Sequence, residues 1–334
     1  MKLTLFHLLL VLSLAGCTSG TTADRSTVAT HVKRHTDHRV LYDSHVHLMS
    51  PYLIAYWKQL GIPFSRTDAH YADVDTILRA NGAEKIDLIG MGYVYTNPEY
   101  YEGNDAQQRL QQENDYLLEQ SAHHPQRIRP FIAVDPLQDF ALSELARCFA
   151  RLPSAGVKLH FSTSQVYLTE PEHLTKVKAV FSASAKQQAP ILLHFDNWHP
   201  KFGADDLTLL VDSILASLPA LDLRIAHFGT SGGFSDKTKR FVDAYLALRR
   251  EGRIPERHTL RLDISAVALD KDSEGVEQLT ESEFAELRAY IDRIGFENIS
   301  FGTDYPLYSS AAYSAVLRER LGLDSLQLES MMRP

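Results

Sequence analysis

The chain has 334 residues, of which 44% are hydrophobic and 23% charged, a composition typical of one large globular domain or two small ones. Its formal net charge of -8 provides no basic surface for a phosphate backbone, so we expect no nucleic-acid partner. A chain of this length can bury a sizeable core around a small-molecule site.

The first residues predict an export signal. Lys2 precedes a mostly apolar run, Leu3 to Leu14, that is too short to be a comfortable membrane span. The sequence Leu14-Ala15-Gly16-Cys17 then resembles a bacterial lipobox, which implies cleavage before Cys17 and lipid attachment to it. Thr18 takes the place of the Asp associated with inner-membrane retention, so the expected location is the outer membrane, facing the periplasm. A plain secretory signal that contains a cysteine is the alternative.

The next segment, residues 18–39, is rich in Ser, Thr, Asp and basic residues and has no hydrophobic period, which is typical of a flexible linker. From Val40 onward, apolar β-branched runs alternate with amphipathic helical patterns. The predicted strands are Val40 to His47, Ile86 to Gly92, Ile128 to Asp135, Gly156 to His160, Ile191 to Phe195, Leu223 to Phe228, Thr259 to Ser265 and Ile299 to Thr303. The predicted helices are Tyr71 to Ala80, Ala106 to Ser121, Phe140 to Arg151, Pro171 to Gln188, Asp205 to Leu218, Asp236 to Arg250, Glu281 to Ile294 and Ala311 to Leu321.

Eight strands, each followed by a helix, predict a single (β/α)8 TIM barrel over residues 40–334. A doubly wound open sheet is the competing architecture. A Gly-x-Gly-x-x-Gly motif after the first strand would favour that sheet, and none is present there.

Ionisable residues end several of the predicted strands. In a barrel the carboxyl ends of all strands meet at one rim, so these side chains are expected to converge. They are His45 and His47 on the first strand, Lys158 and His160 on the fourth, His194 on the fifth, His227 on the sixth and Asp304 after the eighth. A lone histidine at a strand end is usually a hydrogen-bonded core residue. Five strands that deliver such groups to one rim instead indicate a divalent metal site, because buried charge is costly unless it is paired or coordinated.

The ordered set of motifs resembles that of the amidohydrolase superfamily. The local sequences of the motifs resemble the amidohydrolase-2 branch, which includes aminocarboxymuconate-semialdehyde decarboxylase and lactonases. The motifs are Asp43-Ser44-His45-Val46-His47, Gly156-Val157-Lys158-Leu159-His160, Ile225-Ala226-His227-Phe228-Gly229 and Phe301-Gly302-Thr303-Asp304-Tyr305-Pro306. The resemblance covers essentially the whole chain from Val40 onward. It implies a TIM-barrel enzyme that needs a metal.

Residue by residue, the resemblance implies one divalent metal held by His45, His47, His194 and Asp304, with His227 close by as an acid, base or transition-state stabiliser. Zinc is the expected ion, and manganese, iron or cobalt would accept the same ligands. Asp304 is expected to take a proton from the activated water and pass it to the leaving group. Lys158 is expected to be a substrate-facing or structural cation, with His160 as a second substrate-binding candidate on the same face.

The expected reaction is hydrolysis of an ester, lactone or amide, with decarboxylation of a related acid as a close variant. Trp198, in the loop after the fifth strand, is a further substrate-binding candidate or a lid residue. A lipid-anchored barrel that only binds its ligand is one alternative. A binuclear, phosphotriesterase-like hydrolase with a carbamylated Lys158 is another, and the sequence leaves a homo-oligomer open.

Overall fold

The computed structural model describes residues 39–273 and 275–334. The predicted signal segment, the predicted lipid attachment site at Cys17 and nearly all of the predicted linker lie outside this range. Among the described residues, no helix is both long and apolar enough to cross a membrane.

Eight parallel strands pair in sequence order over the described residues. They are β1 (Tyr42–His47), β2 (Lys85–Ile89), β3 (Ile128–Ala133), β4 (Gly156–His160), β5 (Ile191–His194), β6 (Asp222–Ile225), β7 (Thr259–Asp263) and β8 (Ile299–Ser300). Helices α1 to α11 connect or follow the strands. They are α1 (Pro51–Gln59), α2 (Ala69–Ala72), α3 (Val74–Asn81), α4 (Ala106–Ala122), α5 (Ala141–Arg151), α6 (Pro171–Gln187), α7 (Ala204–Leu209), α8 (Asp236–Arg250), α9 (Glu281–Ile294), α10 (Ser310–Leu321) and α11 (Ser325–Met331).

Backbone hydrogen bonds between β1 and the segment around β8 close the sheet. Ser44 N–H donates to the carbonyl of Phe301 at 2.9 Å, and Tyr305 N–H donates to the carbonyl of His45 at 3.2 Å. Val46 and Tyr305 form a parallel bridge at the same place. The predicted (β/α)8 TIM barrel is therefore confirmed.

The interior of the barrel has three levels. Ile89, Phe131, Leu192 and Ala226 form an apolar layer across the middle. Gly156 leaves room for this layer, because a Cβ there would lie 2.5 Å from the Phe131 ring. The rim with the predicted site residues lies on the carboxyl-terminal side of the layer.

A buried ionic cluster lies on the amino-terminal side, and we call it the floor: Tyr42, Asp87, Arg129 and Arg224. Asp87 is its centre, since it accepts hydrogen bonds from the Tyr42 hydroxyl at 2.5 Å and from Arg129 Nε at 2.9 Å, and also pairs with Arg224. The two guanidinium groups lie 5.3 and 5.7 Å from the Phe131 ring centroid, so they pack against the underside of the apolar layer.

Several elements differ from the expectation. The predicted helix from Tyr71 to Ala80 is two helices, α2 and α3, and α11 was not predicted. Helix α1 was not predicted, although Ser50 caps it by accepting a hydrogen bond from Leu53 N–H and Pro51 occupies its first turn. The predicted helix from Asp205 to Leu218 ends as α7 at Leu209 and continues as a π turn, Leu210–Ile214, and a 3-10 turn, Leu215–Ser217. The apolar residues of the second segment are buried as expected, but its backbone departs from one regular helix after Leu209.

Candidate metal centre and active site

Three predicted ligands meet at the rim. His45, His47 and Asp304 form the group among the described residues whose ligand atoms all lie within 4.8 Å of one another. Asp304 Oδ1 lies 3.0 Å from His47 Nε2 and 3.4 Å from His45 Nε2. Two ligands on one metal with bonds of about 2.1 Å are separated by about 3 to 3.5 Å, so these separations suit a shared ion.

His45 shows most directly that the residues fit a metal. The side chain is fully buried, and its Nε2 has no hydrogen-bond partner among the described residues. Its Nδ1 lies 2.6 Å from Asp263 Oδ2, and because a carboxylate can only accept, Nδ1 carries the proton and Nε2 keeps its lone pair. Burial lowers the pKa of His45 well below its usual value, and the nearby Lys158 adds to the effect. A neutral imidazole with an unpaired, buried Nε2 is what a metal ligand requires.

The backbone after β8 aims Asp304 at the two histidines. Asp304 adopts a positive φ of 52°, a region that non-glycine residues seldom occupy, and Tyr305 after it is hydrogen-bonded to β1. Burial alone would raise the pKa of Asp304, but interactions with the surrounding imidazole groups, including the hydrogen bond with His47, hold it well below its usual range. The carboxyl group is therefore an anion, as a ligand for a cation should be.

Asp43 lies deeper in the barrel and does not reach the metal group. Its carboxylate accepts hydrogen bonds from His45 N–H at 3.1 Å, from Thr303 N–H at 3.0 Å and from Asn81 Nδ2 at 2.6 Å. Burial raises its pKa to about 7 in spite of these hydrogen bonds. Asp43 thus ties β1, which carries His45 and His47, to the segment after β8, which carries Asp304.

His227 lies next to the metal group. It follows β6 in a turn where its φ is 53° and that of Phe228 is 51°, so the predicted strand Leu223 to Phe228 ends earlier, at Ile225. Its Nδ1 lies 2.8 Å from the carbonyl of Ser265, which can only accept, so Nδ1 carries a proton and Nε2 is the remaining nitrogen. The ring centroid of His227 is 5.0 Å from that of His45.

His194 and His160 line the next part of the rim. The rings of His194 and His160 stack with their centroids 4.0 Å apart. Tyr93 also packs against His160, with the two ring centroids 4.7 Å apart. His194 lies outside the three-residue metal group, and its Nε2 is 3.2 Å from Ser231 Oγ. Its predicted role as a ligand stays a prediction, as does the role of His160.

Lys158 is a buried ammonium group on the same rim. Burial lowers its pKa to about 8, although Asp304 and Asp263 oppose the shift. A cation near the proposed metal could hold an anionic group of a substrate. Trp198 is 38% exposed at the rim, and its Nε1 donates to Ser231 Oγ at 3.0 Å. The substrate-binding roles of both residues stay predictions.

Several residues around the site were missed or only weakly marked in the sequence. Ser265 and Ser231 were not predicted as site residues, whereas Asp263 and Asp196 were marked only by position, at the end of the seventh strand and in the loop of Trp198 after the fifth strand. Ser265 Oγ lies 3.1 Å from Nδ1 of both His45 and His227, which joins the two rings. The spacing Asp263-x-Ser265 at the end of β7 is the one signal that could have found it, since alternate residues share a face.

Comparison with known proteins gives a match over nearly the whole described domain. The sequence model of the amidohydrolase family matches residues 42–327. Among solved structures, 2,6-dihydroxybenzoate decarboxylase from Rhizobium superposes with a TM-score of 0.57 at 18% identity and covers 88% of this chain and 96% of its own. The 5-carboxyvanillate decarboxylase from Sphingomonas paucimobilis gives 0.56 at 16% identity, with 88% and 96% covered.

A dihydroxybenzoic acid decarboxylase from Polaromonas sp. JS666, solved with manganese and the inhibitor 2-nitroresorcinol, gives a TM-score of 0.57 at 16% identity, with 88% and 94% covered. At these identities the structures establish a shared fold. A bifunctional protein of tRNA 5-methylaminomethyl-2-thiouridine biosynthesis from Chromobacterium violaceum is 28% identical over an alignment of 131 residues, and the match covers 32% of this chain. The matched stretch spans 20% of that curated relative.

Proposed function

The chain belongs to the amidohydrolase family, a family of metal-dependent enzymes, and we propose that it hydrolyses an ester, lactone or amide of a small carboxylic acid at the rim of its barrel. The observation that carries this proposal is the group His45, His47 and Asp304, in which two imidazole nitrogens face one carboxylate oxygen. His194 is proposed as a further ligand. A bound divalent ion would supply Lewis acidity, polarising a carbonyl and making a nearby water more acidic.

His227 is the residue best placed to move a proton. Its Nδ1–H is held by the Ser265 carbonyl, so Nε2 is the nitrogen that takes a proton from water and returns it to the leaving group. Asp304 was expected from the sequence to do this. Asp304 Oδ1 lies 3.0 Å from His47 Nε2 and 3.4 Å from His45 Nε2 as part of the metal group, so we propose His227 for proton transfer and Asp304 as a ligand that balances charge.

The positive charge of Lys158 indicates that the proposed substrate carries a negative charge. A buried ammonium ion beside the metal group would pair with a carboxylate on the substrate, which favours acids and their lactones over neutral esters. Trp198, which is 38% exposed, supplies a flat apolar surface at the same rim, on which the body of the substrate would rest.

Decarboxylation is the second candidate, and the solved decarboxylases of similar fold favour it. In that reaction a proton is delivered to the carbon that bears the carboxylate, and the bond between this carbon and the carboxylate breaks. Carbon dioxide leaves, and the electron pair of the broken bond stays with the product. The same three groups would serve: Lys158 to hold an acid, His227 to move the proton and the metal group to bind a neighbouring oxygen.

The nature of the ion is part of the proposal. Two imidazoles and a carboxylate suit zinc, which the sequence predicts, and manganese, which the similar decarboxylase from Polaromonas contains, suits the same donors. Iron and cobalt remain in the set to be tested.

The test starts from protein stripped with a chelator and reloaded separately with zinc, manganese, iron or cobalt. We expect one ion per chain and turnover of a member of a panel of lactones, esters, amides and hydroxybenzoic acids, with carbon dioxide release distinguishing decarboxylation from hydrolysis. His45→Ala is expected to lose both metal and activity, whereas the control variant His124→Ala, at a partly exposed histidine paired with Asp75, is expected to keep both.

Three results would change the assignment. Full metal content with no turnover in the panel would favour a binding protein, and two ions per chain with bicarbonate dependence would favour the binuclear hydrolase with a modified Lys158. A His45→Ala protein that retains its metal would overturn the proposed centre.

We also propose that the protein is exported and anchored by a lipid on Cys17, so that the barrel works at the periplasmic face of the outer membrane. The support is the apolar run and lipobox-like sequence before Cys17.

A further inference from the structure

Ser231 connects three side chains at the rim. Its Oγ lies 3.2 Å from His194 Nε2, 3.0 Å from Trp198 Nε1 and 3.1 Å from Asp196 Oδ2. His194 and Asp196 are buried and come from the end of β5 and the loop after it, whereas Ser231 is exposed and comes from the loop after β6. The two loops are therefore joined through one hydroxyl group.

The direction of each hydrogen bond in this group follows from its chemistry. Asp196 is paired with the Lys237 ammonium group at 2.6 Å, and its carboxylate can only accept, so the Ser231 hydroxyl donates its single proton to Asp196. The Trp198 indole can only donate, so it occupies one lone pair of Ser231 Oγ. What is left on Ser231 Oγ is a lone pair, and a contact with His194 Nε2 is favourable when that nitrogen carries a proton.

We propose that Asp196 and Ser231 are positioning residues that fix His194 as its Nε2–H tautomer. Nδ1 then holds the free electron pair of this ring, the reverse of His45, whose Nδ1–H faces Asp263 and whose Nε2 is free. The catalytic meaning rests on the proposed function: a His194 that binds a cation or accepts a proton does so through Nδ1. The tautomer itself does not depend on that function.

Asp196→Asn is the sharpest test, because the surroundings choose the orientation of the new amide. Asp196 Oδ1 accepts from Lys237 Nζ at 2.6 Å and from Trp198 N–H at 2.9 Å, so the Asn oxygen stays there and its NH₂ group turns to Ser231. Ser231 then receives a proton from Asn and has its own proton to donate to His194. The variant is therefore expected to reverse the tautomer ratio in favour of Nδ1–H.

The measurement is nitrogen-15 NMR of metal-free protein labelled at histidine, at about pH 8, where an ordinary imidazole is neutral. His194→Gln assigns the signal by its loss. We expect the Nε2–H tautomer in the wild type, the Nδ1–H tautomer in Asp196→Asn, both tautomers in Ser231→Ala and the wild-type pattern in Ser231→Thr, which keeps the hydroxyl. Asp205→Asn, a matched change at an exposed site on α7, is expected to leave the ratio unchanged.

Two outcomes would overturn the inference: an Nδ1–H tautomer in the wild type, or a ratio that neither Asp196→Asn nor Ser231→Ala alters. The signal of His45 is an internal reference, since its bond to Asp263 is untouched in every variant. Because the protein is free of metal and substrate, failure of the proposed function would appear in the loading and turnover assays and leave this result standing.

Discussion

At the scale of single residues, the rim is organised by the nitrogen on which each imidazole carries its proton. Asp263 holds the proton of His45 on Nδ1, and the carbonyl of Ser265 does the same for His227. Each ring then presents Nε2 to its neighbours. A residue that only orients a ring is therefore as necessary for the site as the ring itself.

Lys158→Met tests the charge on the rim. Burial lowers the pKa of Lys158 from 10.5 to about 8, so the folded protein binds this proton less tightly than the unfolded chain. The resulting penalty is present below pH 8 and fades as the pH rises toward 10.5. At pH 7 we expect the metal-free variant to gain about 1 kcal/mol or more in free energy of unfolding by urea, because methionine fills the space without a charge. Its KM for a carboxylate substrate is expected to rise at least tenfold, as about 2 kcal/mol or more of pairing is lost.

Lys178→Met is the matched control, since Lys178 is an exposed residue of α6 and its removal is expected to change stability by less than about 0.5 kcal/mol. A Lys158→Met protein that is less stable than the wild type would mean that the ammonium group is well paired in the fold.

The sequence was sufficient to place the three residues of the metal group together, because strand alternation puts His45 and His47 on one face and barrel topology brings Asp304 beside them. It could not supply the orienting partners. His194 and Ser231 are separated by 37 positions, and their contact depends on the course of two loops with no regular period. The positive φ at Asp304 and His227 is equally invisible in a pattern of apolar and polar residues.

At the scale of elements, the strands were predictable in number and order, and their ends were not. Strand β4 matches its predicted range, whereas β6 and β8 are cut short where the backbone turns to direct His227 and Asp304. Helix α1 was overlooked because its apolar residues, Leu53, Ile54 and Trp57, are few, although Ser50-Pro51 is a recognised start signal.

Glu113→Gln tests how α4 holds the start of α1. The Glu113 carboxylate accepts from Ser50 N–H at 3.1 Å and is also hydrogen-bonded to the Ser50 hydroxyl. Burial raises its pKa from 4.5 to about 7, despite these hydrogen bonds, so the folded state binds more protons than the unfolded state within this range. Stability from this group is therefore present at low pH and is lost as the pH rises through 7. Glutamine keeps both hydrogen bonds without the charge, so the variant is expected to be more stable above pH 7 by up to about 3 kcal/mol.

The measurement is urea unfolding of metal-free wild type and variant at a series of pH values, with the difference taken at each pH so that other titrating groups cancel. Glu119→Gln, an exposed position on the same helix, is expected to give a small difference at every pH. A constant offset between Glu113→Gln and the wild type would contradict the buried, raised pKa of Glu113.

At the scale of the whole molecule, the proposed lipid anchor decides where the enzyme works. Cys17→Ser removes the attachment site and is expected to move the protein from the membrane fraction to the soluble fraction, with turnover per molecule unchanged. Cell fractionation and mass spectrometry of the N-terminal peptide are the measurements, with Thr18→Ser as the control. An unmodified Cys17 in the membrane-associated protein would rule out the anchor.

The apolar layer of Ile89, Phe131, Leu192 and Ala226 keeps two charged regions of the barrel apart. The Asp87–Arg224 pair on one side and the metal group on the other have no shared partner among the hydrogen bonds described above, so substitutions in the two regions are expected to have additive effects. This separation makes the fold evolvable. Side chains at the rim can be exchanged to accept new substrates without disturbing the ion pairs of the floor.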